Sequence, residues 1–212
     1  KYKILEYSNK LAIAGFTDTT TAVDVLTTIL NGYGMEMSEV NRVSDILIQT
    51  QNKGKIVVSE LAQYMGPIIS TAKLAKVSLE ELAGAMATMT ANGVKAPEAS
   101  TYLKNMMNEL IKTGTDADKA FKKIYGKSFL QFKEQGGTLQ EALISLNESA
   151  KKSGMTLIDV FSSIRSSSGA LVLANNMDKF IDSLKAMENA SGTTDKAFQK
   201  MMDTFTQKFK QV

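Results

Sequence analysis

Three residue types are missing from this chain of 212 residues: cysteine, histidine and tryptophan. Without cysteine there is no thiol nucleophile and no disulfide. Without histidine the chain lacks the most common metal ligand and the usual general base. Catalysis would depend on carboxylates, and no acidic residues have the spacing of an acid–base pair or an oxygen-ligand site. The sequence therefore predicts no catalytic, cofactor-binding or metal-binding residues, and a protein that is not an enzyme.

Proline, arginine and long apolar segments are also scarce. The two prolines, Pro67 and Pro97, are predicted to begin helices, where a missing N–H has no cost. Arg42 and Arg165 are the two arginines, and 25 basic residues are balanced by 22 acidic ones. This balance argues against specific nucleic-acid binding. No apolar run approaches the roughly 18 to 20 residues that cross a bilayer, so membrane contact is not indicated.

Apolar residues recur at helical spacing along most of the chain. One stripe falls at Ala22, Val25, Leu26, Ile29, Leu30 and Tyr33, and a second at Met37, Val40, Val43 and Leu47. Most glycines lie between such segments, and Asn31-Gly32 and Tyr33-Gly34 predict a helix end between the two stripes. We therefore predict an all-α fold, a compact multi-helix bundle of short amphipathic helices with a longer C-terminal helical arm.

Local signals predict where several helices begin and end. Ser78 with Glu81, and Thr138 with Glu141, have the spacing of a capping box, so a helix is predicted to start after each. Thr156 with Asp159 predicts a further start. At Gly66-Pro67 we predict a break between two short helices, because proline restricts itself and the preceding residue.

A serine-rich segment, Ser162–Gly169, is the best candidate for a domain boundary because it is small, polar and ends in glycine. We predict a helical core domain over residues 1–165 and a C-terminal helical arm over 166–212. The arm carries apolar residues at alternating spacings of four and three, as in a coiled coil, from Leu173 to Phe205 with an interruption at Ser191–Thr194. It would dock on the core or continue into coiled coil.

The end of this arm carries the candidate interaction stripe. Its residues share one face of the predicted last helix, with lysines nearby: Phe198, Met201, Met202, Phe205 and Phe209. A basic amphipathic helix can lie on a membrane or in a groove of a partner. Ordinary packing on the domain or on another copy of the chain gives the same pattern, and we favour it.

Other motifs have a structural explanation. The acidic residues Glu80-Glu81, Asp116, Asp118 and Glu188 are explained by the preference of acids for the first turn of a helix, where they interact with its dipole. The glycines of NGYG and Gly136-Gly137 lack the spacing of a phosphate-binding loop, and helix-ending turns are predicted. Core filling is favoured for most of the twelve methionines, with adaptable binding surfaces as the alternative.

The identity and order of residues in several segments, and not their apolar periodicity, resemble the core region of phage tail tape measure proteins from about Thr17 onward. The segments that carry the resemblance are TTAVDVLTTILNGYG and RVSDILIQTQNKG within residues 20–54, SELAQYMG at 59–66, TAKLAKVSLEELAGAMATMTANG at 71–93, TYLKNMMNEL at 101–110, GKSF at 126–129, GGTLQEAL at 136–143 and TDKAFQKMMDTF at 194–205. One departure is Lys76, because the family usually has glycine before the VSLEEL-type segment.

The resemblance implies a structural module that acts in tail length determination, tail tube assembly and genome ejection. The implied partners are tail tube and tail tip proteins, tail assembly chaperones and further copies of the chain. The implied location is the virion tail, with the host cytoplasm during assembly. The alternative is a membrane-active or pore-associated helical module. Because the chain begins at Lys1 and its last apolar pattern still runs at Val212, we expect it to be part of a longer polypeptide.

Overall fold

The computed structural model describes residues 2–209, and within this range the fold is all-α, with no strand. This confirms the predicted fold class. The structure comprises a 3₁₀ turn at Met37–Glu39 and thirteen helices: α1 Tyr2–Ala14, α2 Thr19–Tyr33, α3 Val40–Lys53, α4 Val58–Leu74, α5 Leu79–Ala91, α6 Ala96–Ile111, α7 Asp116–Tyr125, α8 Phe129–Glu134, α9 Leu139–Lys152, α10 Leu157–Val160, α11 Ile164–Asn175, α12 Met177–Glu188 and α13 Thr193–Phe209.

Helix α5 lies at the centre of the bundle. Every residue from Glu81 to Thr90 is buried. A helix with small or apolar side chains on every face can be enclosed by other helices. Helix α5 contacts α3, α6 and α12. Its Gly84 is close to the backbone of α12, because an added Cβ would lie 3.2 Å from the Cα atom of Leu184. Around α5, α2 packs on α4, α4 on α6, and α6 on α11.

The predicted capping boxes are confirmed. The Ser78 hydroxyl accepts the N–H of Glu81 at 3.1 Å, while the Glu81 carboxylate accepts the N–H of Ser78 at 2.8 Å. Thr138 and Glu141 make the same exchange at the start of α9. These bonds satisfy N–H groups that have no partner within the helix.

Helix α4 runs through Pro67 without interruption, so the predicted break at Gly66-Pro67 is wrong. One reason is the residue before the proline. The proline ring clashes with the N–H and the Cβ of a helical residue before it, and Gly66 has no Cβ, so part of this cost is absent. Burial of Leu61, Met65 and Ile68 on one face then favours the continuous helix. Pro97, by contrast, lies in the first turn of α6, as predicted.

The serine-rich segment is mostly helical, although its composition predicts a linker. Helix α11 begins at Ile164, and its Ser166, Ser167 and Gly169 are buried. An added Cβ on Gly169 would lie 3.0 Å from the carbonyl oxygen of Tyr102 in α6. The small residues therefore allow close packing of two helices.

The C-terminal region forms three helices with different neighbours. Helix α11 packs on α6, α12 on α5, and α13 on α1 and α3. The apolar seam is used for this packing, since Leu173, Phe180, Leu184 and Met187 are all buried. The division into domains 1–165 and 166–212 stays a prediction.

The methionines of the central helices belong to the core. Met65, Met86, Met89, Met106 and Met107 are fully buried. Met37 and Met202 are exposed and belong to the surface. Core filling therefore explains the methionines of α4, α5 and α6.

Candidate interaction surface

The predicted interaction stripe lies on α13, and the structure places its members differently. Phe198 and Met201 are half-buried, whereas Met202 is exposed. The side chains of Phe205 and Phe209 lie outside the described residues. Phe198 faces α1, where it lines a groove between the two helices. The stripe is thus partly used for packing on the domain and partly open.

The position of α13 is fixed by Asp45 in α3. Its two carboxylate oxygens accept the N–H of Gly192 at 2.9 Å and the N–H of Thr194 at 2.8 Å. The buried hydroxyls of Ser44 and Thr194 are hydrogen-bonded at 2.9 Å. A carboxylate at the start of a helix satisfies free N–H groups and is attracted by the helix dipole. Asp45 therefore caps α13 from another part of the chain.

Sequence analysis missed Asp45 because its partners lie 147 and 149 residues away. A weak signal was present, because Asp45 is flanked by Val43 and by the apolar run Ile46–Ile48. The structure buries this whole segment, and a carboxylate inside it requires hydrogen-bond donors from elsewhere. Only the fold shows which donors these are.

Lys10 joins α1 to α13. Its ammonium group lies 2.8 Å from a carboxylate oxygen of Asp195 and 2.8 Å from one of Glu6. Hydrogen bonds to Asp195 and then to Glu6 raise the pKa of Lys10 and outweigh the lowering effect of burial. Both carboxylates are largely exposed, so this ion-pair cluster orients the helices more than it stabilises the fold.

Between α1 and α13 lies an open groove of about 660 Å³. Ala12, Ile13 and Phe198 form its apolar part. Glu6 and Asp18 also line it. Asp195 is near it, because it is paired with Lys10, which lines the groove. We call this the α1–α13 groove. It combines an apolar floor with a mainly acidic rim, which is an arrangement suited to a basic apolar partner.

Glu80, Glu81, Asp116 and Asp118 lie in the first turns of their helices, as predicted, but Glu188 is the last residue of α12, so that explanation is wrong for it. Glu80 is paired with Arg42, which also bonds Glu39 at 2.9 Å. Asp118 accepts the N–H of Gly114 at 2.8 Å and the ammonium of Lys122 at 2.9 Å. Burial alone would raise the pKa of Asp118, but these hydrogen bonds outweigh it and lower the pKa.

Glu81 has the most enclosed carboxylate of these groups. Besides its capping bond, it accepts the ammonium of Lys133 at 2.7 and 2.8 Å and the N–H of Leu139 at 2.6 Å. Both charged side chains are about 95% buried, with exposures of 5% and 6%. Both carboxylate oxygens of Glu81 accept hydrogen bonds, so the buried charge is compensated. Because the donors lie on different helices, the cluster links α5, α8 and the start of α9. It presents no free group to a ligand.

Gly34 and Gly136 follow helix ends, as predicted, whereas Asn31-Gly32 lies inside α2, where Gly32 packs closely against Ile69. Gly34 follows α2 with φ of 71°, and Gly136 follows α8 with φ of 88°. Among residues 2–209, no group of three or more acidic, histidine or cysteine side chains is arranged to hold a metal ion. None of the described helices has the length and apolar character of a membrane span.

Comparison with known proteins agrees with this picture. The sequence model of the family described as phage-related minor tail protein matches residues 2–164. A relative from Clostridium phage phiCD119, named "Probable tape measure protein", is 38% identical over 206 residues. The match covers 94% of this chain and 22% of the relative, so the chain spans about a fifth of that protein. No solved structure matches. The chain therefore belongs to the family of phage-related minor tail proteins, and the resemblance to tape measure proteins is confirmed.

Proposed function

We propose that this chain is a structural module of a tape measure protein that acts in tail length determination, tail tube assembly and genome ejection. The observation that carries the proposal is the 38% identity, over nearly the whole chain, to a probable tape measure protein. The structure supports a role in assembly, because the acidic clusters described above are occupied by capping bonds and ion pairs.

The proposed partners are tail tube and tail tip proteins, tail assembly chaperones and further copies of the chain. The proposed location is the virion tail, after assembly in the host cytoplasm. Surfaces open to such partners are the α1–α13 groove and the exposed residues of α13, which are Met202, Asp203, Thr204, Thr206 and Lys208 among those described. The balance of charge supports binding to proteins and not specific binding to nucleic acid.

The fold limits how this segment can contribute to length. As one continuous helix, 212 residues would span roughly 320 Å at a rise of about 1.5 Å per residue. The longest helices here, α4 and α13, have 17 residues, which is about 25 Å at the same rise. We therefore propose that most of the measured length is provided by other parts of the full protein.

Small-angle scattering tests the folded form of the isolated chain. A compact domain of this size has a radius of gyration of about 17 Å. A value several times larger, with the profile of a rod, would show that the isolated chain is extended and would contradict this proposal.

A phage that encodes this chain allows the function to be tested directly. We expect that in-frame removal of residues 19–188 abolishes normal tails and infectivity, as seen by electron microscopy and plaque counts. A matched variant would carry Leu74→Ser, a change at an exposed site, and should assemble normally. Normal tails after the deletion would refute the assembly role. Infectious tails shortened by the full helical length of the deleted segment would refute the proposal that other parts of the protein provide most of the measured length.

A further inference from the structure

Three large apolar side chains are exposed within ten residues near the short helix α10. Met155 is 42% exposed, Ile158 is 57% exposed and Ile164 is 85% exposed. The inward-facing residues of the same segment, Leu157, Val160 and Phe161, are buried. The exposed side chains are therefore not needed to anchor the segment. A cluster of exposed apolar side chains is a mark of an interaction surface.

The same segment is basic. Lys151 and Lys152 precede the apolar residues and Arg165 follows them, and all three are exposed. Asp159 is the acidic residue between them, and its carboxylate already accepts the N–H and the hydroxyl of Thr156, at 2.8 and 3.0 Å. Glu148 lies one turn earlier in α9. We call Met155, Ile158, Ile164 and the three flanking cations the basic knob.

The α1–α13 groove has the opposite character. Ile13 and Phe198 are half-buried in its apolar lining, Ala12 beneath them is buried, and Glu6 and Asp18 lie at its rim. Lys10, which also lines it, is paired with Glu6 and Asp195, and Asp18 accepts the N–H and the hydroxyl of Thr21. With three carboxylates and one ammonium group, the groove keeps an excess of acidic groups beside apolar area. The knob has an excess of basic groups beside exposed apolar side chains.

The two surfaces belong to different parts of the bundle. Helix α10 packs on α7, α9 and α11, whereas α1 and α13 pack on each other and on α3. Extensive contacts link neither α1 nor α13 to α10 among the described residues. A contact between knob and groove therefore joins two molecules. Such a contact is heterologous, so each added copy leaves one knob and one groove free.

We propose that the basic knob of one copy of this chain docks in the α1–α13 groove of a second copy, so that copies associate head to tail. Burial of the three apolar side chains supplies the attraction, and the opposite charges fix the orientation. The inference rests on the proposed function in that it gives the proposed contact between copies of the chain a defined pair of surfaces. It can fail in the experiment below while the assembly role stands. It gives the chain a route to linear assemblies built from one repeated contact.

Sedimentation velocity of the purified chain, over a wide range of concentrations, tests the proposal. We expect the sedimentation coefficient to rise with concentration beyond that of a dimer. Raising the ionic strength to about 1 M, where the screening length is about 3 Å, should weaken the charged part of the contact. The double variant Ile158→Ser with Ile164→Ser should weaken association about tenfold or more, which corresponds to about 1.4 kcal/mol.

Two further variants make the test specific. Leu74→Ser removes an exposed leucine of α4, outside both surfaces, and should leave association unchanged. Glu6→Lys with Asn9→Lys reverses the charge at the groove, where both positions are exposed, and should prevent docking of the basic knob. Circular dichroism and thermal unfolding of each variant show whether the fold is retained.

Mixing distinguishes this contact from a symmetric dimer. Alone, the knob variant and the groove variant should each associate about tenfold or more weakly than the native chain, and they are mixed at a concentration where neither associates alone. Together they retain one intact knob and one intact groove, so their mixture should form dimers and no larger species. A chain that stays monomeric at all concentrations would overturn the proposal. So would association that survives both folded variants, or a mixture that remains monomeric.

Discussion

Asp45 and Thr194 lie 149 residues apart in the chain and are joined by a hydrogen bond of 2.8 Å, from the Thr194 N–H to the Asp45 carboxylate. Asp45→Ala would remove this acceptor and leave the N–H groups of Gly192 and Thr194 without a partner in a buried setting. We expect a loss of about 1 to 3 kcal/mol in the free energy of unfolding. Urea denaturation measures it.

The matched control for Asp45 is Asp24→Ala, because Asp24 is exposed on α2. It should change stability by less than about 0.5 kcal/mol. Equal effects of the two substitutions would show that the cap on α13 contributes nothing.

Lys76 has φ of 55°, in the left-handed region that favours glycine. Lys76→Gly would relieve a backbone cost of about 1 kcal/mol and would remove an exposed ion pair with Glu134, which is worth about 0 to 1 kcal/mol. We therefore expect a small net stabilisation, visible as a higher midpoint of thermal unfolding. Lys76→Ala removes the same ion pair without relieving the backbone and should not stabilise. A gain from alanine as large as that from glycine would contradict this explanation.

Gly169 allows α11 to approach α6. Gly169→Val would place side-chain atoms against the backbone of Tyr102, where an added Cβ already lies 3.0 Å from the carbonyl oxygen. The two helices would have to move apart, and we expect destabilisation of about 2 kcal/mol or more. Ser168→Val introduces valine at the half-buried neighbouring position and should lower the free energy of unfolding by clearly less. The comparison is made by chemical denaturation of both variants.

The environment of the Glu109 carboxylate makes the free energy of unfolding depend on pH in the acidic range. Burial alone would raise its pKa, but nearby serine donors outweigh burial and lower the pKa below its ordinary value of 4.5. These donors are the Ser166 hydroxyl, which faces the carboxylate, and the N–H groups of Ser162 and Ser163, which donate to it at 2.8 and 3.2 Å. A carboxylate with a lowered pKa in the folded state stabilises the fold fully above the unfolded value. This stabilisation is lost as the pH falls through the folded value.

Measurement of unfolding free energy between neutral pH and pH 3 should therefore show a loss at the acidic end, part of which comes from Glu109. Glu109→Gln should flatten this part of the profile, while Glu98→Gln, at an exposed site on the same helix, should not. Identical acid profiles for the native chain and Glu109→Gln would exclude this role of Glu109.

Local features of the fold could be predicted from sequence because the relevant interactions lie within a few residues. The capping boxes at Ser78 and Thr138 require partners three positions away, and Gly34 ends α2 through its own backbone conformation. These signals are properties of the segment and remain the same in any tertiary setting.

Features that the sequence did not reveal depended on distant neighbours. Ser166 and Gly169 belong to the segment whose composition suggested a domain boundary, which stays a prediction. Only the proximity of α6 shows that small residues are needed for helix packing there. The helical conformation at Pro67 depends on the missing Cβ of Gly66 and on burial of one face of α4. The apolar positions of the candidate surface were partly identifiable, since Phe198 lies on the predicted stripe. Its acidic rim could not be identified from sequence, because Glu6 and Asp18 line the same groove as Phe198 only in the folded chain.

The cap provided by Asp45 has a mechanical consequence for α13. The helix is held at its first residues, while Met202, Asp203, Thr204, Thr206 and Lys208 towards the other end are exposed. The next turn is held on α1 through Phe198 and the ion pair of Asp195 with Lys10, so the exposed part begins after Met201. The backbone from Met202 to Lys208 corresponds to about 10 Å of helix, and a tilt of about 10° there would move its end by only about 2 Å. The cap and the contacts with α1 therefore keep the exposed part of α13 close to the bundle.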